Sequence, residues 1–132
     1  MKFIILILFG LSFNLIFACE CETKLVKGQT IEETKLEESF NHATIIFYAE
    51  FLENRTFRII KIFRQDSNLV NSNKLSLTPE LTICDDTFEL KTKYLVFGRV
   101  DEYGKLKTSY CYSNKQILNK SDLKFINKYL KK

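Results

Sequence analysis

One histidine, one proline and four glycines stand in the whole chain, and each scarcity removes a class of chemistry. His42 has no cluster of His, Cys or acidic partners around it in sequence. It is read as a polar side chain on a helix surface, not as a general base or a metal ligand. Four glycines do not supply the Gly-rich loop that cradles a phosphate, and no Gly-x-Ser-x-Gly nucleophile turn occurs. The neighbouring carboxylates Asp85 and Asp86 read as turn residues, not as an acid–base pair. No enzyme activity and no cofactor are therefore expected. With one proline and no Pro/Gly-rich stretch there is no linker, and no internal repeat is seen, so a single domain is expected. Net charge is also small: 20 Lys and Arg stand against 16 Asp and Glu, with the basic residues spread along the chain. That excess is too weak to argue for nucleic acid.

Long apolar runs are missing everywhere except at the start. Met1 and Lys2 are followed by an apolar segment from Phe3 to Ala18. One positive charge, a greasy stretch and a small residue at its end are the grammar of an export signal. The stretch falls short of the roughly 20 residues that cross a bilayer, so no membrane span is expected. Cleavage after Ala18 takes 18 residues from 132 and leaves 114, residues 19–132, with net charge falling from +4 to +3 on loss of Lys2. The product is expected to be a monomer that is secreted, periplasmic or held at the cell surface.

Hydrophobic periodicity predicts about five short strands between two helices. Residues 30–43 read as a helix with Ile31, Leu36, Phe40 and Ala43 near one stripe. Thr30-x-x-Glu33 and Thr34-x-x-Glu37 both fit a capping box, in which a hydroxyl and a carboxylate each satisfy a free backbone N–H. Residues 44–52 and 57–63 read as a hairpin around Glu53, Asn54 and Arg55. Ile60 breaks the alternation of the second strand. Residues 65–76 are polar and turn-rich and read as a loop. Residues 80–86 read as a short strand ending at Cys84. Residues 94–100 and 106–110 read as a second hairpin, with Gly104 supplying a positive φ. Residues 121–132 read as a helix capped by Ser121, with Leu123, Ile126, Tyr129 and Leu130 at helical spacing. Five short strands closed into a small barrel leave no exposed edge, and a five-stranded OB barrel with flanking helices fits this count.

All four cysteines, Cys19, Cys21, Cys84 and Cys111, follow the leader. An even count in a short exported chain reads as two disulfides, and three pairings are open. A zinc site of four thiolates normally places two to four residues between paired ligands, and here one residue separates Cys19 from Cys21. A lipid anchor on Cys19 would consume its thiol and strand one of the other three. Cleavage after Ala18 instead makes Cys19 the first residue. Its α-amine, with a reference pKa near 8, can join its own carbonyl in a five-membered chelate on a metal ion. Catalytic zinc keeps one position open for water, and a terminus held by crosslinks docks there with less entropy loss than a frayed one.

Several motifs occur in one order: Cys19-x-Cys21, Glu37-Glu38-Ser39-Phe40, Cys84, Phe88-Glu89 before Tyr94-Leu95-Val96, and Thr108-Ser109-Tyr110-Cys111. In this the chain resembles the tissue inhibitors of metalloproteinases, and more closely the short bacterial relatives of their N-terminal, netrin-like domain. The resemblance covers most of residues 19–132. It implies an OB barrel, disulfides Cys19–Cys84 and Cys21–Cys111, and inhibition of a zinc metalloproteinase as partner. It also implies that the amine and carbonyl of Cys19 bind the protease's zinc, with Glu20 directed at the specificity pocket. Glu22 and Thr23, flanked by Thr82, Ile83, Cys84 and Asp85, would form the ridge that fills the substrate cleft. An exported binding module on the same barrel, without protease inhibition, is the alternative.

Overall fold

The computed structural model describes residues 21, 24–66, 72–79 and 86–130. The expected leader lies outside them, as does the expected strand at 80–86 as far as Asp85. The first helix, α1 (Ile31–His42), starts at Thr30 and not at Thr34. The Glu33 amide donates to Thr30 Oγ1 at 3.1 Å, and the Thr30 amide donates to Glu33 Oε2 at 3.0 Å, a complete capping box. Phe40 and Ala43 are buried and Leu36 packs beside them, but Ile31, expected on the same stripe, is exposed. Thr34 is buried instead, with its hydroxyl donating to Gln29 Oε1 at 3.1 Å. Ile31 lies five positions before Leu36, which at 3.6 residues per turn puts it well off the packed face.

Two strands form the centre: β1 (Ile45–Leu52) and β4 (Lys93–Val100), paired antiparallel. Both are buried on both faces, which is why they read as near-continuous apolar runs. Ile45, Phe47, Ala49 and Phe51 of β1 face one core with Tyr94 and Val96, while Ile46 and Tyr48 face a second core with Leu95 and Phe97. The first core is closed by Phe57, Leu75, Leu106 and Phe88. Phe88 sets its ring edge-on to Phe57 at 4.9 Å and Tyr94 at 5.0 Å. The second core lies under the helices. There Phe40 stacks on Tyr129 at 4.7 Å and meets Phe97 edge-on at 5.0 Å.

The expected first hairpin is present. β2 (Thr56–Gln65) pairs with β1 across a turn in which Asn54 and Arg55 hold φ of 60° and 54°. The expected loop at 65–76 is not all loop: Lys74–Ser76 forms β3 on the outer side of β2. Three residues carry too little pattern to stand out, and the buried Leu75 is what pins them. The second hairpin is also present, though β5 (Leu106–Lys107) is shorter than expected, and Gly104 sits at φ 73°. A further strand, β6 (Lys115–Gln116), pairs with β4. The C-terminal helix is broken in two. A 3-10 turn (Lys120–Leu123) is followed by α2 (Ile126–Leu130). Its cap is Asn119 rather than Ser121, with the Asn119 amide donating to Asp122 Oδ2 at 3.2 Å.

The strand order is β3-β2-β1-β4-β5, antiparallel throughout. The sheet curls into a half-barrel, and its two end strands meet: Leu77, just past β3, makes a parallel bridge to Leu106 of β5. Close approach at Gly98 permits this curl, since a Cβ there would stand 2.5 Å from the Lys107 carbonyl oxygen. The architecture is mainly β, of barrel type, with helices on one face, as the periodicity predicts. Among the described residues no helix is long and apolar enough to cross a membrane.

Candidate functional site at the N-terminal tether

The N-terminal part of the chain is bound to the body of the protein covalently at Cys21. Cys21 forms a disulfide with Cys111, with Cα atoms 5.4 Å apart and 90 residues between them in sequence. This is the second of the two pairs that the resemblance implies. Cys19, Glu20, Glu22, Thr23, Thr82, Ile83, Cys84 and Asp85, and with them the Cys19–Cys84 pair, lie outside the described residues.

The loop that holds Cys111 is itself held by α1. The Cys111 amide donates to Ser109 Oγ at 3.3 Å, and Lys35 Nζ donates to the Tyr110 carbonyl at 2.6 Å. Ser39, buried on α1, donates its hydroxyl to the Lys35 carbonyl at 2.8 Å and accepts the Ser113 amide at 2.8 Å. That bond explains a buried serine in the middle of a helix: its oxygen serves a second segment. Before α1, the chain runs back along the same helix. The Lys24 amide donates to Glu38 Oε1 at 3.3 Å, and Gln29 Nε2 donates to Glu37 Oε2 at 2.9 Å. The Glu37-Glu38-Ser39-Phe40 motif thus divides its labour. Two carboxylates receive the N-terminal segment, the serine receives the cysteine loop, and Phe40 fills the core.

Asn114 ties this loop to the segment that follows Asp85. Its Oδ1 accepts the Phe97 amide at 2.8 Å, and its Nδ2 donates to Thr108 Oγ1 at 2.8 Å and Asp86 Oδ2 at 3.1 Å. Thr108 in turn donates its hydroxyl to the Phe97 carbonyl at 2.6 Å. The edge of β4 explains the need. β6 covers it at Tyr94 and Leu95 and β5 at Arg99 and Val100, so Phe97 between them needs partners from side chains. Asp86, expected only as a turn residue, is therefore a structural acceptor. Asn114 was not singled out from sequence, and Thr108 only as the start of the Thr108-Ser109-Tyr110-Cys111 motif. The available signal is their placement three residues to either side of Cys111.

The Phe88-to-Tyr94 motif has a matching role. Tyr94 accepts the Glu89 amide at 2.9 Å on its hydroxyl, and its ring packs on Phe88. The segment after Asp85 is thus fixed twice, at Asp86 and at Phe88–Glu89. His42 is exposed at the end of α1. Among the described residues no group of three or more His, Cys, Asp or Glu is placed to hold a metal ion. The arrangement defines a small barrel-type β domain that clamps its own N-terminal segment. No protein-family model matches the chain, and no curated protein matches it.

Proposed function

We propose that this is an exported domain of netrin-like OB-barrel type that inhibits a zinc metalloproteinase through its N-terminus. Removal of residues 1–18 would free the Cys19 amine, which with the Cys19 carbonyl would take the open position on the protease's zinc. Glu20 would enter the specificity pocket, and Glu22, Thr23 and residues 82–85 would line the substrate cleft. The observation that carries the reading is the clamp. Cys21, two residues from the proposed ligand, is bonded to a loop that shares Asn114 with Asp86, the residue after the proposed ridge. The OB assignment is supported by the strand order and by the Leu77–Leu106 bridge that joins its two ends.

The test is inhibition of a panel of zinc metalloproteinases by the protein purified from culture medium or periplasm, with its N-terminus read by mass spectrometry. Chelation requires a free Cys19 amine and requires that one alanine added ahead of Cys19 abolish inhibition. Undiminished inhibition by the extended form ends the proposal. Glu20 favours a second reading, a binding module without inhibition. A carboxylate in an apolar pocket costs several kcal/mol unless it meets a cation. Loss of all inhibition together with a free Cys19 amine selects that reading.

A further inference from the structure

β2 is longer than the stretch of β1 that it pairs with, and the difference is taken up in two bulges. Tyr48 pairs with Lys61 but Ala49 with Ile59, which leaves Ile60 without an opposite residue; Ile46 pairs with Arg64 but Phe47 with Ile62, which leaves Phe63 without one. A bulge puts an extra residue into a strand and re-aims its side chain. Here both extra residues are large and apolar, and both line the same open cleft of about 480 Å³ against the C-terminal helical segment. Leu123 faces them across it, and the remaining wall includes Lys61, Lys120 and Lys124, with no acidic residue in the lining. Among the described residues none of these three ammonium groups forms an ion pair. Ile60 is 42% exposed, unusual for a mid-strand isoleucine beside a core.

We propose that this cleft is a docking site for an acidic peptide segment, one apolar side chain seated on Ile60, Phe63 and Leu123 and its carboxylates against Lys61, Lys120 and Lys124. The chemistry selects this occupant. A bilayer surface is flat and leaves a concavity unfilled. A sulfated glycan satisfies lysines but has nothing to place on three apolar side chains. A nucleic-acid base needs an open aromatic face, and Lys61 already lies over the Phe63 ring, 5.1 Å from its centroid. The site uses no residue of the proposed zinc-capping end and stands or falls separately from it.

The experiment is fluorescence anisotropy with a fluorescein-labelled peptide of alternating glutamate and leucine, titrated with the purified protein at low and at physiological salt. Saturable binding is expected, weakening with salt because exposed charge pairs are screened. The triple variant Lys61→Glu/Lys120→Glu/Lys124→Glu should bind about tenfold more weakly or worse, and Ile60→Asn about threefold more weakly. Lys107→Glu, an exposed lysine outside the cleft, should bind as the parent does. All five altered side chains are exposed, and an unchanged urea midpoint confirms that the variants are folded. Absence of saturable binding overturns the proposal. So does equal affinity for a peptide of alternating glutamate and serine, or an equal loss in Lys107→Glu. Displacement of the peptide by phosphatidylglycerol vesicles, with the triple variant losing vesicle binding, makes this a membrane face and overturns it as well.

Discussion

Asn114 carries the most structural responsibility of any single polar side chain described. It serves as both donor and acceptor, and its three nearest partners, Phe97, Thr108 and Asp86, belong to three different segments. Replacing it with alanine leaves the Phe97 amide with no acceptor in the barrel wall. A stranded buried donor costs about 1–3 kcal/mol, and Asn114→Ala is expected to lose stability in that range in urea denaturation. Asn114→Asp separates the two functions. It keeps an acceptor for the Phe97 amide but loses both donors and sets a second carboxylate against Asp86. Amide exchange at Phe97 should therefore stay protected in Asn114→Asp and accelerate in Asn114→Ala, while neither variant recovers the parent's urea midpoint. Protection of Phe97 in both would show that another group accepts its proton.

At the scale of elements, α1 matters less for its own packing than for what it grips. Its capping box, complete at Thr30 and Glu33, fixes where the helix begins. That start sets the angular positions of Lys35, Glu37, Glu38 and Ser39, which hold the two ends of the disulfide-linked region. Thr30→Ala removes the hydroxyl acceptor and is expected to cost about 1 kcal/mol, measured by urea denaturation, with faster amide exchange in the first turn. An equal loss of protection at Ser113 would show the helix and the cysteine loop opening together. The first helix and the two central strands were legible in the sequence because their signals are local: a spacing of three, which two capping boxes fitted and the structure decided for Thr30, and apolar runs buried on both faces. β3 was not, because three residues with one buried side chain hold no period. The C-terminal helix was placed correctly but not its break, since the apolar residues at 123, 126, 129 and 130 keep helical spacing through a 3-10 turn. The bulges left one trace, Ile60 out of step with its neighbours. Sequence registers such a residue as noise, and only pairing with β1 gives it a position. Ser39 was visible within a motif and Lys35 was not, but the partners of these two lie 74 and 75 residues away at Ser113 and Tyr110. No local pattern encodes a contact at that separation.

For the whole molecule the question is what a crosslink between residue 21 and residue 111 does to a chain that already closes its sheet through Leu77 and Leu106. Non-covalent closure stabilises the folded state only. The disulfide acts chiefly on the unfolded one, by removing the freedom of a loop of 90 residues. The chain-entropy model gives that link on the order of 4–5 kcal/mol, a large share of the roughly 5–15 kcal/mol typical of a domain. Cys21→Ser/Cys111→Ser should accordingly keep the fold, with near-parent circular dichroism, while its extrapolated unfolding free energy falls by several kcal/mol. The slope of the urea transition carries the mechanism. A chain without the crosslink expands further when unfolded and exposes more surface, so its slope should rise. Were the stability lost with no change in slope, the disulfide would be acting through contacts in the folded state, and the loop around Cys111 would be the place to find them.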